Sequence, residues 1–326
     1  MNQGWVYRDR ITPAEANLSV LDFYTNRYRH SSREEWRDRI LSSQIRQNGY
    51  SVAPDDRLQP GQTLTYHRPP WQEPEVPLAF EVLYEDEDLV AIAKPAGLPV
   101  LPGSNFLTHT LLHQLKLCYP ENPPIPVHRL GRGTSGVMIL GRSTLARSVL
   151  SRQLRESTAT AADPQAPHPI RKTYRALVGA SDLPDVFTLT TAIGKVDHPV
   201  LGYVYAASPN GLPAYSEGKV IQRTADSTLV EVTIRTGRPH QIRIHLAAAG
   251  YPLLGDPLYG PGGIPLPVAP DEDGRIPVPG DIGYHLHAYR LELPHPQTQE
   301  SLQIVCPAPP ALQAPEPESE VIDNSA

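Results

Sequence analysis

The chain has 326 residues, with 29 Lys and Arg against 35 Asp and Glu for a formal charge of −6, which is length enough for one large core and a smaller one. No apolar run approaches the roughly 20 residues that span a bilayer, and "MNQGWVYRDR" lacks the apolar segment of a secretion signal. The only cysteines, Cys118 and Cys306, stand far apart without CxxC spacing, which excludes a disulfide framework or a zinc site. A reducing, cytoplasmic setting is the expectation.

Residues 1–67 read as a small α+β module. Ser32 and Glu35 form a capping-box pattern, and Trp36 and Ile40 then share one helical face. Asn48-Gly49 between two extended runs is a hairpin signal, and "GQTLTYH" supplies another strand. Residues 68–79, with "RPPWQEPEVP", read as a stiff proline-rich linker.

Residues 80–306 read as a larger domain. "FEVLYEDEDLVAIAKPAG" gives two strands around an acidic turn. The loop "VHRLGRGTSG", Val127 to Gly136, runs into the strand "VMIL", and a helix is expected from near Ser143 with Ala146, Val149 and Leu150 as its buried stripe. "KTYRALVG", Lys172 to Gly179, alternates as a half-buried strand with Tyr174, Ala176 and Val178 on one face. Val230, Val232 and Ile234 alternate as another. Thr236-Gly237 breaks that strand, Pro239 suits the first turn of a helix, and Ile242, Leu246 and Ala249 form that helix's buried stripe, with Gly250 ending it. Arg243 leaves beside the stripe and requires a partner. Residues 157–169 and 260–281 read as inserted surface loops, and residues 307–326 as a disordered acidic tail. Many strands with few helices point to an α+β fold around a largely antiparallel sheet.

Net charge conceals an uneven distribution. Residues 126–175 carry nine cations, Arg129, Arg132, Arg142, Arg147, Arg152, Arg155, Arg171, Lys172 and Arg175, against Glu156 and Asp163, a net of +7. Such a basic face suits nucleic acid or phosphate, and equally an ordinary solvated helix surface. His240 and His245 are spaced wrongly for a shared metal; His285 and His287 share a strand face without a third ligand, so no metal site is expected. "GRGTSG" lacks the Lys-Ser/Thr end of a nucleotide-binding loop and precedes a strand where that motif needs a helix.

Taken in order, "YEDEDLVAIAKPAG", "HRLGRGTSG", "KTYRALVG", "TGRPHQIRIHLAAAGYPLLGDPLYG" and "LHAYRLELPHPQTQE" resemble the successive motifs of RluA-type RNA pseudouridine synthases. The N-terminal module resembles, more weakly, the small RNA-binding domain often found ahead of that catalytic domain. The resemblance implies the pseudouridine synthase fold. It also implies a reaction that cuts the N-glycosidic bond of a uridine in rRNA or tRNA, turns the base and rejoins it through C5, without metal or organic cofactor. The partner is RNA, no membrane is involved, and a monomer is expected.

Carried over residue by residue, Gly131 stands where the family has its reactive aspartate. Tyr174 matches the tyrosine that stacks on the target uracil. Arg243 matches the arginine that pairs with that aspartate, and is therefore expected to face an unpaired site, water or phosphate. Arg129 matches an arginine that fills the stack left by a flipped base. Arg132, Lys94, Arg147, Arg152 and Arg155 are the further candidate RNA contacts. A glycine can neither attack a sugar nor accept a proton. Two outcomes are open: an active enzyme using another group, with Asp256 the nearest carboxylate by motif, or an RNA-binding pseudoenzyme that keeps the pocket.

Overall fold

Buried apolar residues of strands and helices gather into a core in each of two compact units. The structure is a computed structural model that describes residues 1–159, 169–199, 201–267 and 278–314. One compact unit comprises Met1–Glu75 with Gly103–Thr108 and Asp197–Val204, and the other holds the remaining residues.

In the first unit, strands β1 (Trp5–Arg10), β2 (Ile45–Gln47), β3 (Tyr50–Ser51) and β4 (Thr63–Arg68) form an antiparallel sheet in the order β1-β4-β2-β3. Helices α1 (Val20–Arg27) and α2 (Arg33–Leu41) contribute Phe23, Tyr24, Trp36 and Ile40 to the core beside it. The capping box is present: Ser32 Oγ accepts from Glu35 N at 3.1 Å and the Glu35 carboxylate from Ser32 N at 2.7 Å. Asn48 and Gly49 take φ of 50° and 88°, the two left-handed positions that a tight hairpin turn requires. The first part of the proline-rich stretch is tied to the first unit. Glu73 is buried and its carboxylate accepts from Asn2, Leu107 and Thr108, while Arg68 stacks on Trp71 at 3.7 Å.

The second unit is organised by one ten-stranded sheet. Its strands are β5 (Glu81–Glu85), β6 (Leu89–Lys94), β7 (Ile125–Pro126), β8 (Ser135–Gly141), β9 (Arg171–Gly179), β10 (Val186–Leu189), β13 (Ser216–Arg223), β14 (Ser227–Ile234), β15 (Leu286–Pro294) and β16 (Ser301–Val305). The chain also forms the hairpin β11 (Ile193–His198) and β12 (Gly202–Ala207). The order β10-β13-β14-β9-β15-β8-β6-β5 is antiparallel except between β15 and β8, which run parallel with His287 opposite Ser135. Helices α3 (Leu111–Cys118), α4 (Thr144–Ala159) and α5 (Gln241–Ala248) complete it, giving an α+β fold.

Some details depart from the sequence pattern. On α4, Ala146 and Leu150 are buried, whereas Val149 is half-buried. Helix α5 starts at Gln241, so Pro239 lies in the preceding turn, and its first intrahelical position follows His240 in a left-handed conformation. Residues 241–247 are all buried, so α5 has no single stripe, and Ala249 is exposed. Gly250 ends the helix with φ of 94°. The chain after Pro307 also packs: Ala308 and Leu312 are buried with Leu229, and Arg175 donates to Leu312 O at 3.2 Å. Apolar residues at 308 and 312 outweigh the polar composition there. The expected acidic tail beyond Ala314, and residues 160–168 and 268–277 of the two expected surface loops, lie outside the described residues.

The parallel pairing depends on Gly136, whose φ of 112° lets its backbone lie against Ala288. A Cβ there would collide with the Ala288 backbone. Gly136→Ala is therefore expected to cost about 3 kcal/mol or more through strain and overpacking, measured as a fall in the urea midpoint of unfolding.

Candidate active site

The strand order β9-β15-β8 gathers the motif residues. Ala288 of β15 faces Tyr174 of β9 on one side and Gly136 of β8 on the other. The loop 127–134 enters β8 directly, and Leu130, Tyr174 and Tyr284 belong to one core cluster. Burial pushes the Tyr174 hydroxyl up to about 12, so it stays protonated, and it makes no hydrogen bond among the described residues. The ring is 9% exposed and packs in the core cluster with Leu130 and Tyr284.

Buried groups hold the loop from beneath. His128 Nε2 accepts from Ile139 N at 3.0 Å, and burial, with the charge of Lys172, pushes its pKa down to about 3. Thr134 N donates to Gly131 O at 3.1 Å and closes the loop's turn. Lys94 is 1% exposed and its Nζ donates to the carbonyls of Pro95 at 2.8 Å, Leu98 at 2.9 Å and Arg132 at 3.3 Å. Burial pushes Lys94 down to about 7, opposed by three acceptors that only the three N–H groups of an ammonium satisfy in full. Lys94, carried over as a candidate RNA contact, is therefore a buried tie between β6 and the loop.

Arg243 is not unpaired. Its Nε and Nη2 donate to the two Asp256 oxygens at 2.7 Å each, and Nη1 donates to Pro279 O at 3.1 Å. Asp256 Oδ1 also accepts from the backbone N–H of Leu258 at 2.9 Å and Tyr259 at 3.0 Å. Burial opposes the Arg243 charge, but the bonds to Asp256 and the neighbouring tyrosines raise its pKa overall. Asp256 is thus saturated by donors and is a scaffold for Arg243. The guanidinium lies 4.1 Å from the Tyr284 ring centre and 4.9 Å from that of Tyr259.

His240 bonds Tyr259 Oη through Nδ1 at 2.8 Å. That hydroxyl donates its one proton to Tyr205 O at 2.6 Å, so Nδ1 must carry the proton and Nε2 is an acceptor. Burial first, then Arg243 and Arg129, pushes His240 down to about 3 and keeps it neutral. Sequence reading had considered this histidine only as a metal ligand.

The other candidates separate by exposure. Arg129 is exposed, and it makes no hydrogen bond or ion pair among the described residues. Arg152 and Arg155 are likewise exposed on α4 and unpaired among those residues. Arg132 is half-buried, and its carbonyl accepts from Gly97 N at 2.7 Å as well as from Lys94. Arg147 turns back to donate to Gly141 O at 3.2 Å and Asn122 Oδ1 at 3.4 Å, which removes it from a free cationic face. Lys172 is half-buried, and burial pushes it down to about 8. Of the other histidines, His245 bonds Ser216 and the Thr191 carbonyl, and His287 bonds Ser135 and the Cys306 carbonyl. Among the described residues, no group of three His, Cys, Asp or Glu is placed to hold a metal ion.

Gly131 itself is exposed, and a Cβ built on it would stand 3.0 Å from Tyr284 Oη and 3.4 Å from Thr134 Oγ1. The side-chain space that the glycine leaves is faced by a phenol.

The profile described as RNA pseudouridylate synthase matches residues 88–248. A Synechocystis protein named as an uncharacterized RNA pseudouridine synthase is 54% identical over 91% of this chain and 96% of its own. The chain belongs to the RNA pseudouridine synthase family. RNA pseudouridine synthase 5 of Arabidopsis thaliana is 42% identical over 96% of this chain and 95% of its own. The ribosomal large subunit pseudouridine synthase D of Neisseria meningitidis is 34% identical over 72% of this chain and 59% of its own. Among solved structures, human RNA pseudouridylate synthase domain containing 4 matches with a TM-score of 0.51 and 27% identity over 71% of this chain and 90% of that one. The fold is that of the family, as the motif order implied.

Among the histidines that burial lowers, His128, His240 and His245, the last near 4, set an acid sensitivity. Each has a folded pKa below its unfolded value near 6.5, so between about pH 6.5 and 3 the unfolded chain binds more protons. Stability is then full above that window and falls as pH falls through it. Urea midpoints at pH 7, 5.5 and 4.5 are expected to decline in that order, with a shallower decline in His128→Gln.

Proposed function

We propose that this chain isomerises uridines within structured RNA to pseudouridine, with rRNA or tRNA as the substrate class. The observation that carries the reading is the meeting of β9, β15 and β8. It puts Tyr174 two strands from Gly136, where the loop that bears Arg129 and Gly131 enters β8, while Tyr284 lies between Gly131 and the buried Arg243. A wall-mounted aromatic can hold a uracil by its face, and an exposed arginine on the loop can take the place of a base withdrawn from its stack. Arg243 supplies positive charge where electrons move onto the uracil as its glycosidic bond breaks. Family membership at 54% identity over nearly the full chain supports the reaction, and the name of the Neisseria relative supports ribosomal RNA within the broader class.

The first test is product. RNA from a strain lacking this protein, incubated with the purified chain, should gain pseudouridine at discrete positions, detected by a carbodiimide adduct or nucleoside chromatography because the isomers have equal mass. If the chain binds RNA yet no pseudouridine forms, the catalytic reading fails and an RNA-binding role remains. The second concerns affinity. Replacing Arg152 and Arg155 together with Ala should weaken binding several-fold at low salt and make the dependence of log Kd on log salt shallower, since fewer phosphate counterions are released. Arg129→Ala should lower turnover more than binding.

A further inference from the structure

The reaction needs a group that can bond to the sugar and exchange a proton with the base, and neither Gly131 nor the saturated Asp256 offers one. The space beside Gly131 holds Tyr284. Its Oη is the nearest atom to the missing side chain, 3.0 Å from the Gly131 Cβ position. Thr134 Oγ1 lies 3.3 Å from that oxygen. The adjoining glycine is shaped to the same ring: a Cβ on Gly133 would come within 2.8 Å of Tyr284 Cζ and 2.9 Å of Cε1. Arg243 lies 4.1 Å from the ring centre and is itself tied to Asp256. Tyr284 is 5% exposed, and the bare, exposed Gly131 leaves its hydroxyl as the polar group next to that opening.

We propose that Tyr284 is the catalytic group of this site, its phenol acting where the family's carboxylate is absent; the proposal rests on the pseudouridine synthase reading. Tyrosine serves as the nucleophile in some glycoside-cleaving enzymes, so an aryl glycoside is a workable intermediate. In the first step Oη bonds to C1′ of the uridine as the C1′–N1 bond breaks, its electron pair leaving with the uracil. The phenolic proton passes to that uracil at N1. In the second step the turned uracil bonds through C5 to C1′, the C1′–Oη bond breaks with its pair returning to oxygen, and the C5 proton passes to that oxygen. Tyrosine is regenerated, the product carries N1–H and a C1′–C5 bond, and no external reactant is consumed. A guanidinium against the ring face attracts the electron density that gathers there when Oη leaves C1′.

The test uses an RNA that the wild type modifies. Tyr284→Phe removes one oxygen and keeps the ring. It is expected to retain its melting temperature and bind RNA within about twofold of wild type, while pseudouridine formation falls at least 100-fold. Replacing Tyr284 with 3-fluorotyrosine, similar in size but more acidic, is expected to move the pH–rate profile to lower pH, which a merely packing ring would not do. Gly131→Asp is expected to reduce turnover, because the new carboxylate crowds Oη. Tyr284→Phe within about threefold of wild-type turnover overturns the proposal, as does an unmoved profile in the fluorinated enzyme or a gain of activity in Gly131→Asp. An inactive wild type overturns the function itself and this proposal with it, whereas an active Tyr284→Phe overturns this proposal alone.

Discussion

Arg243 and Asp256 are 2% and 1% exposed, and the site is arranged around keeping both charges satisfied at that depth. Removing such ions from water costs several kcal/mol each, and mutual attraction offsets it only with good geometry and no stray polar atoms. Here the fork is bidentate at 2.7 Å, the remaining Arg243 donor reaches a carbonyl, and two backbone N–H groups close the carboxylate. The backbone bonds bend residues 256–259 back on themselves, which brings the Tyr259 ring against the guanidinium that Asp256 holds. Tyr259 in turn fixes the His240 tautomer, and the second ring on the guanidinium is Tyr284. One ion pair therefore orients an aromatic, a histidine and the phenol beside Gly131.

The loop above is held by a different device. Lys94 and His128 are each more basic in water than where they sit, and burial lowers both, but backbone atoms satisfy each: Lys94 bonds carbonyls of its own turn and of Arg132 in the loop, and His128 of the loop accepts from Ile139 N in β8. Backbone partners specify position independently of side-chain identity, so the loop keeps its course while its exposed residues, Arg129 and Gly131, are free to meet a ligand. This division explains why Lys94, a candidate RNA contact by motif, is a buried tie. A lysine before proline at the end of an apolar strand, followed by a tight turn, is where carbonyls point inward without partners, and that local pattern was the available signal.

Much of the fold could be read locally. The capping box at Ser32, the Asn48-Gly49 turn and the alternation in β9 and β14 all depend on neighbours within a few residues. Arg243 was legible as a buried cation in want of a partner, but its partner was not, because Asp256 lies beyond the helix end and a turn. Helix α5 misled because it is buried on all sides, so no stripe marks its core face and Ala249 was wrongly placed there. The direction of Arg147 was not legible either, because it is decided by Gly141, whose bare backbone lets the side chain fold back.

Tyr284 was the residue that sequence spacing could not expose. It stands about 150 positions from the loop, and only the parallel pairing of β15 with β8 converts that separation into contact. Parallel neighbours with opposed residues His287 and Ser135 send both preceding segments out of the sheet at the same end, so the turn 131–134 and Tyr284 arrive side by side. Once they do, the loop's two glycines acquire a common meaning. A side chain at 133 has no room against the ring, and one at 131 begins in contact with its hydroxyl. Glycine at 131 is then not simply a deletion in an otherwise unchanged site. Its bare backbone leaves the Tyr284 hydroxyl as the nearest atom to the space that a side chain at 131 would enter.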